Sequence, residues 1–173
     1  MIPVTKWVER SFPSDLPVAM FPNYVERLRG TPARIKDRIT SWPHDVLTRR
    51  IGESWSIQEH IGHLLDLEAL WLGRLDDYEA GRAELRAADM TNRQTYDANH
   101  NKADIDYIML QFHRKRQEFV ERLEHYDADF VRRVALHPRL KQPMNVVDLI
   151  FFVAEHDDHH LARIAEIKFA ITH

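Results

Sequence analysis

The sequence predicts an all-α protein built as a four-helix bundle, and three observations predict it. Four long stretches repeat their apolar residues every three or four positions, no set of short alternating runs reads as a sheet, and the joints between stretches carry helix-stopping and helix-starting residues. The chain, 1–173, reads as a single domain. Its 44% hydrophobic content can bury a sizeable core, and five Gly and eight Pro are too few for a disordered or collagen-like chain.

An irregular N-terminal arm comes first, with Trp7, Phe12, Leu16 and Phe21 spaced to dock along the bundle. Helix one spans about Pro22 to Trp42, and Gly30-Thr31-Pro32 kinks or divides it, with Pro32 in the first turn of the second part. Helix two opens at Ser56-Ile57-Gln58-Glu59, where the serine oxygen and the glutamate three residues on can satisfy orphaned N–H groups; it runs to about Ala80 and Gly81 ends it. Trp55 is expected to pack at its entrance. Helix three begins near Asn101, with Asp104 in its first turn, and carries Ile105, Ile108, Met109, Phe112, Phe119, Val120 and Leu123 on one face. Helix four is capped by Asn145, and Asp148 suits its positive end. Gly81 to His100 forms the long connection, a length that binds something or moves. Within it Arg93, Tyr96 and Asn99 can fix a polar substrate; a surface loop that caps itself through Asn and Asp is the competing reading.

The chemistry lies on helix four. Its apolar stripe runs through Val146, Leu149, Val153, His156, His160, Ile164, Ile167 and Ile171, so two imidazoles replace hydrophobes in the middle of a buried face. At i, i+4 their Cβ atoms lie roughly 5 to 6 Å apart, a spacing one divalent ion can bridge. The third ligand comes from the other histidine pair in an apolar helical pattern. His63 lines up with Leu67 and Leu70 and is preferred, although periodicity alone hardly separates it from His60, which shares a face with Leu64 and Trp71. His44, His100 and His137 stand beside Pro or Asn in expected loops and, with His113 and His125 of a charged helix, read as solvated. His159 is expected to point to a neighbouring helix or to water, and Glu155 and Asp157 to be solvated flanking groups.

Composition narrows the function. A formal net charge of -3, from 24 basic and 27 acidic residues interspersed, leaves no footprint for nucleic acid or an anionic membrane. No apolar run approaches the ~18 residues of a bilayer span, and Met1 to Arg10 lacks a signal-peptide core, so a cytoplasmic protein is expected. Without Cys there are no thiolate ligands and any thiol chemistry needs an external thiol. Di-iron carboxylate bundles need Glu-x-x-His on two helices plus two further Glu, which is absent; a hemerythrin-like carrier needs more ligands for a second iron; and His156-Asp157-Asp158-His159-His160 is not the His-Glu-x-x-His of a zinc protease.

Trp55-Ser56-Ile57-Gln58-Glu59-His60-Ile61-Gly62-His63-Leu64 resembles the helix-two signature of the DinB-like (DinB/YfiT-like) metalloproteins, and Glu155-His156-Asp157-Asp158-His159-His160-Leu161 resembles their helix-four signature. Arg27-Leu28-Arg29-Gly30-Thr31-Pro32-Ala33-Arg34 and the Asp89 to Asn101 loop extend the likeness over nearly the whole chain. The resemblance implies up-down-down-up topology, one divalent ion held by His63, His156 and His160, and a homodimer. Relatives include thiol-dependent transferases and isomerases that activate bacillithiol or mycothiol at the metal. The expectation is therefore a mononuclear metal-dependent transferase, of the low-molecular-weight thiol S-transferase type, or a hydrolase, acting on a small polar molecule. The alternative is a non-catalytic metal-binding, stress-related or structural protein whose ion ties helix two to helix four. Three imidazoles suit zinc, nickel, iron or copper.

Overall fold

The computed structural model describes residues 2–173. The chain forms α1 (Phe21–Arg29), α2 (Thr31–Ile39), α3 (His44–Thr48), α4 (Ile57–Glu79), α5 (Arg93–Ala98), α6 (Ile105–Glu124), α7 (Ala128–Val131), a hairpin of β1 (Val134–Leu136) and β2 (Pro143–Asn145), and α8 (Val146–Thr172). The four rods of the bundle are α1 with α2, then α4, α6 and α8. Gly30 divides the first rod, with Pro32 in the opening turn of α2. None of the described helices is long and apolar enough to cross a membrane.

Hydrogen bonds at the helix ends define the topology. Gln58, at the start of α4, donates to the carbonyls of His100 and Ala103 just before α6 (2.7 and 2.8 Å), and Arg122, near the end of α6, donates to Glu79 at the end of α4 (3.1 Å). These two helices are therefore parallel. In contrast, α8 starts beside the end of α4, where the Tyr78 hydroxyl donates to the Met144 carbonyl (2.9 Å), while its Ile164 and Ile167 cluster with Ile57 and Ile61 at the start of α4. The first rod is likewise reversed, since Arg29 pairs with Glu124 at the end of α6 while Ile35 and Ile39 meet Ile108 near its start. The order is up-down-down-up.

The expected capping box at Ser56 is present, and the expected cap at Asn145 forms a second one with Asp148. Ser56 and Glu59 exchange bonds of 3.1 and 2.8 Å, and Asn145 and Asp148 exchange bonds of 2.8 and 2.9 Å. Asp148 has a second task, because its carboxylate accepts the N–H groups of Asp15 and Leu16 (3.0 and 2.8 Å) and so ties the N-terminal arm to the start of α8. Trp7 and Phe12 then rest on Phe152, at 5.0 and 4.9 Å between ring centroids. Two local expectations shift. Asp104 is the N-cap of α6 rather than a first-turn residue, accepting from Asp106 and Tyr107, because a carboxylate in the cap position satisfies orphan N–H groups directly. The hairpin of β1 and β2 was not visible in the sequence, since three-residue strands are too short to show alternation.

Arg116 of α6 ties the bundle together from within. All five of its N–H donors are used: Nε and Nη2 on Glu68 of α4 (3.0 and 2.6 Å), Nη1 and Nη2 on Asp157 of α8 (2.5 and 3.2 Å), and Nη1 on the Leu28 carbonyl of α1 (3.1 Å). Thr31 of α2 donates to the same Asp157 (2.7 Å). Asp157 is thus fully buried, which corrects the expectation of a solvated carboxylate. Burial opposes the charge on Arg116, but Asp157 and Glu68 outweigh it and hold the guanidinium protonated. Arg116→Met will leave two buried carboxyl groups without a counter-charge and cost about 3–5 kcal/mol in urea unfolding at neutral pH. The loss will be largest above neutral pH and shrink as pH falls to about 7, the value to which burial raises Glu68, because below it Glu68 carries its proton with or without Arg116.

Candidate metal centre

His63 lies in the second turn of α4, and His156 and His160 lie one turn apart on α8; all three are about 5% exposed or less. One ring nitrogen from each falls within 4.8 Å of the others. His156 Nε2 and His160 Nε2 are 3.2 Å apart. Two nitrogens at about 2.0–2.1 Å from a tetrahedral ion would be separated by about 3.3–3.4 Å, so this pair already spans one edge of such a site. No other His, Asp or Glu among the described residues joins the group.

The surroundings select which nitrogen each ring presents. The Thr95 hydroxyl is 2.8 Å from the Asp66 carboxylate, which can only accept, so its single hydrogen goes there. His63 Nδ1, 3.0 Å from the same hydroxyl oxygen, must then carry a hydrogen and donate it, leaving the lone pair on Nε2. His100 Nε2 donates to the same Asp66 oxygen (2.9 Å). On the other helix His160 Nδ1 sits 2.8 Å from His60 Nδ1, which leaves His160 Nε2 free when His60 is the acceptor. His156 has no such anchor. Its Nδ1 is buried without a partner, and the ring is held instead by Trp7 and Trp71, whose centroids lie at 5.0 and 5.8 Å. Burial keeps these rings neutral: it lowers His63 to about 4, against the pull of Asp66, and takes His156 and His160 well below the usual imidazole value. Neutral imidazoles are the form that ligates metals.

The three rings open onto a cleft of about 500 Å³. The N-terminal arm supplies Trp7 to its wall, the segment before α4 supplies Trp55, and α8 supplies His159. Trp55 does more than pack at a helix entrance, since its ring lies 4.8 Å from that of His63 and 5.4 Å from that of His60. Of the three polar residues expected over the site, Tyr96 is exposed and edge-on to Trp55 at 5.8 Å. Arg93 is paired with Asp97 on the surface (3.3 Å), and Asn99 turns the chain in the left-handed region at φ 48°. The same segment reaches the site through Thr95 beneath His63 and through Asp89, Met90 and Asn92 on the cleft wall.

Two histidines read as solvated are buried. His100 is held by Asp66 against α4, and His137 lies in the cleft wall. Gly62 was the available signal for His100. A Cβ on this glycine would stand 2.2 Å from the His100 ring, so glycine inside a helical pattern marks a close approach here. His60, left open as a ligand by periodicity, orients His160 from behind.

Fold and site together define a helical bundle with a histidine-lined cleft. The DinB superfamily matches residues 27–164, and the chain belongs to that superfamily. Among solved structures it is similar to YfiT from Bacillus subtilis, described as "a probable metal-dependent hydrolase with an unusual four-helix bundle topology", at 16% identity and TM-score 0.81 over 95% of this chain and 94% of that one. It is also similar to a mycothiol-dependent maleylpyruvate isomerase, at 9% identity and TM-score 0.65 over 85% of this chain and 60% of that one. No curated protein matches in sequence. Because Asp66 sets the His63 tautomer through Thr95, Asp66→Ala will weaken divalent-metal affinity about 10–100-fold in competition with a chromophoric chelator, while helical circular dichroism stays unchanged.

Proposed function

We propose that this protein is a mononuclear metal-dependent enzyme. His63, His156 and His160 hold one divalent ion at the floor of the cleft, and a small polar molecule bound above it is hydrolysed or joined to a low-molecular-weight thiol. The observation that carries this reading is the convergence of three neutral, buried imidazoles, one tautomer dictated by a carboxylate, on a cleft with room for a substrate. An all-nitrogen donor set suits zinc, nickel or iron. When bound, such an ion makes water or a thiol nucleophilic near neutral pH.

The chain's own residues supply the rest. Asp66, through Thr95, holds the His63 ring in place, His60 holds His160, and the rings of Trp7 and Trp55 wall the cleft. A thiol partner must come from outside this Cys-free chain, and bacillithiol or mycothiol is the class that the mycothiol-dependent neighbour supports. The hydrolase-like neighbour supports water as the alternative nucleophile. An ion with a purely structural role would gain from a fourth protein ligand. The residues that could add one are committed elsewhere: His60 to His160 Nδ1, and Asp158 to Arg27 and Arg34 (3.1 and 2.6 Å). The reading includes a cytoplasmic location, as the sequence leads one to expect, and a homodimer, as the family resemblance implies.

Elemental analysis of the purified protein will find one divalent ion per chain. His63→Ala and His156→Ala will each lose it, and chelator will lower the melting temperature of the parent but not of the variants. The loaded protein then warrants assay with bacillithiol and mycothiol. A protein that takes up no zinc, nickel or iron on reconstitution would reduce the imidazoles to core residues and remove the basis for an enzyme.

A further inference from the structure

The end of the cleft away from the three imidazoles carries a second polar cluster, made of Arg74 on α4 and His137 and Arg139 on the turn between β1 and β2. Arg74 is 1% exposed. Among the described residues its only bonds are from Nε to the Arg86 carbonyl (3.2 Å) and a contact of Nη1 with His137 Nε2 (3.3 Å), and no carboxylate pairs with it. The contrast with Arg116, equally buried and held by two carboxylates, is direct. Asp77, one turn further along α4, attracts Arg74 through space but makes no bond to it. Its oxygens are spent on the Arg86 side chain (3.0 and 3.0 Å), the Arg86 N–H (2.8 Å) and Arg82 (3.4 Å). Asp89 on the cleft wall is likewise turned into its own loop, accepting from Thr91 and from the Arg93 N–H.

Arg139 has a buried Nη2 with no partner and no carboxylate beside it. His137 Nδ1 accepts the N–H groups of Arg139 and Leu140 (3.3 and 3.2 Å), so the hydrogen of this neutral ring lies on Nε2 and faces Arg74 Nη1, donor against donor. Burial lowers Arg74 to about 10, which still leaves it charged, and lowers His137 to about 3 with help from Arg74 and Arg139. A buried guanidinium without a counter-charge is costly, and opposed donors with nothing between them add to that cost. An acceptor anion would relieve both.

We propose that Arg74, His137 and Arg139 form a carboxylate-binding subsite, so that the molecule acted on in the cleft is a small organic acid whose reacting group lies at the imidazole end. The donors are forked side chains, the geometry that matches a planar carboxylate, and the N–H groups of the turn at Arg139, Leu140 and Lys141 are already spent on His137, leaving no backbone cradle for phosphate. Leu67, Leu70, Trp71 and Phe152 line the cleft along with both polar ends, so the acid has an apolar body. The Trp71 ring joins the two ends, 5.3 Å from the Arg74 guanidinium and 5.8 Å from the His156 ring, so a small acid held at Arg74 can reach the imidazole end.

The proposal rests on the cleft being the substrate site, but it can be tested without the metal. Phenylacetate, its neutral analogue phenylacetamide and inorganic phosphate serve as probes in calorimetric titrations of the metal-stripped protein and of His63→Ala. Phenylacetate will bind in both, about 10-fold or more tighter than the amide or phosphate, and will lose about 10-fold or more in Arg74→Gln and in Arg139→Gln. Arg139→Gln, a partly exposed position, keeps the test valid should Arg74→Gln fail to fold. Equal binding of acid and amide, binding unchanged in Arg139→Gln, or a preference for phosphate would overturn the carboxylate subsite. Retained phenylacetate binding in a protein that never takes up metal would leave the subsite standing while the metal reading falls.

Discussion

One buried guanidinium fixes the register of this bundle. Arg116 reaches from α6 to α4, α8 and α1 at once, and it supplies the counter-charge for two carboxylates in the interior. Apolar packing tolerates small slides of one helix along another, whereas five charge-assisted bonds at 2.5–3.2 Å do not. Asp157, one of the two carboxylates, directly follows His156, and Glu68, the other, lies little more than a turn beyond His63. The bond network thus sets the height of α8 against α4, and with it the convergence of three imidazoles contributed by two helices. Replacing such a network with hydrophobes could leave stability intact, so its worth here lies in position.

The cleft shows the opposite economy. At the imidazole end most of the polar groups have a partner: His63 has Thr95, Thr95 and His100 have Asp66, and His160 has His60. The lone pairs left over are the ones aimed at a common point. At the far end the donors of Arg74, His137 and Arg139 outnumber the acceptors. One end therefore gathers lone pairs and the other gathers donors. A fold under selection for stability alone would have neutralised the first with apolar side chains and supplied the second with an aspartate, as Asp77 does for Arg86 one turn away.

Local signals were legible in the sequence because they are local in the structure. The capping box at Ser56, the cap at Asn145, the division at Gly30 and the stop at Gly81 each depend on residues within a turn of one another, and the i, i+4 histidines of α8 share a face by helix geometry alone. What stayed hidden depends on distant pairs. His100 and His137 sit beside Asn and Pro and look like loop residues, yet 34 residues separate His100 from the Asp66 that buries it, and 63 separate His137 from Arg74. Asp157 was misread for the same reason, since helical angle says only that it leaves the histidine stripe and not that Arg116 waits on the side to which it turns. Periodicity could not divide His60 from His63, because both are buried and both serve the site, one pointing in and one from behind.

The long connection that the sequence could describe only as binding or mobile is a consequence of topology. Parallel α4 and α6 oblige the chain to return the length of α4, 23 residues or about 35 Å, before α6 can begin. Extended chain covers that in about 11 residues, and residues 80–104 are more than twice as many. The surplus is spent over the cleft, where it forms the Asp89 turn and α5 and delivers Thr95 to His63 and His100 to Asp66. An up-down-up-down bundle with tight turns would have no such segment to bring Thr95 to His63. The arrangement that looks wasteful as a bundle is what gives His63 of α4 a polar partner, so the unusual order of the helices and the hydrogen bonding of the site have one cause.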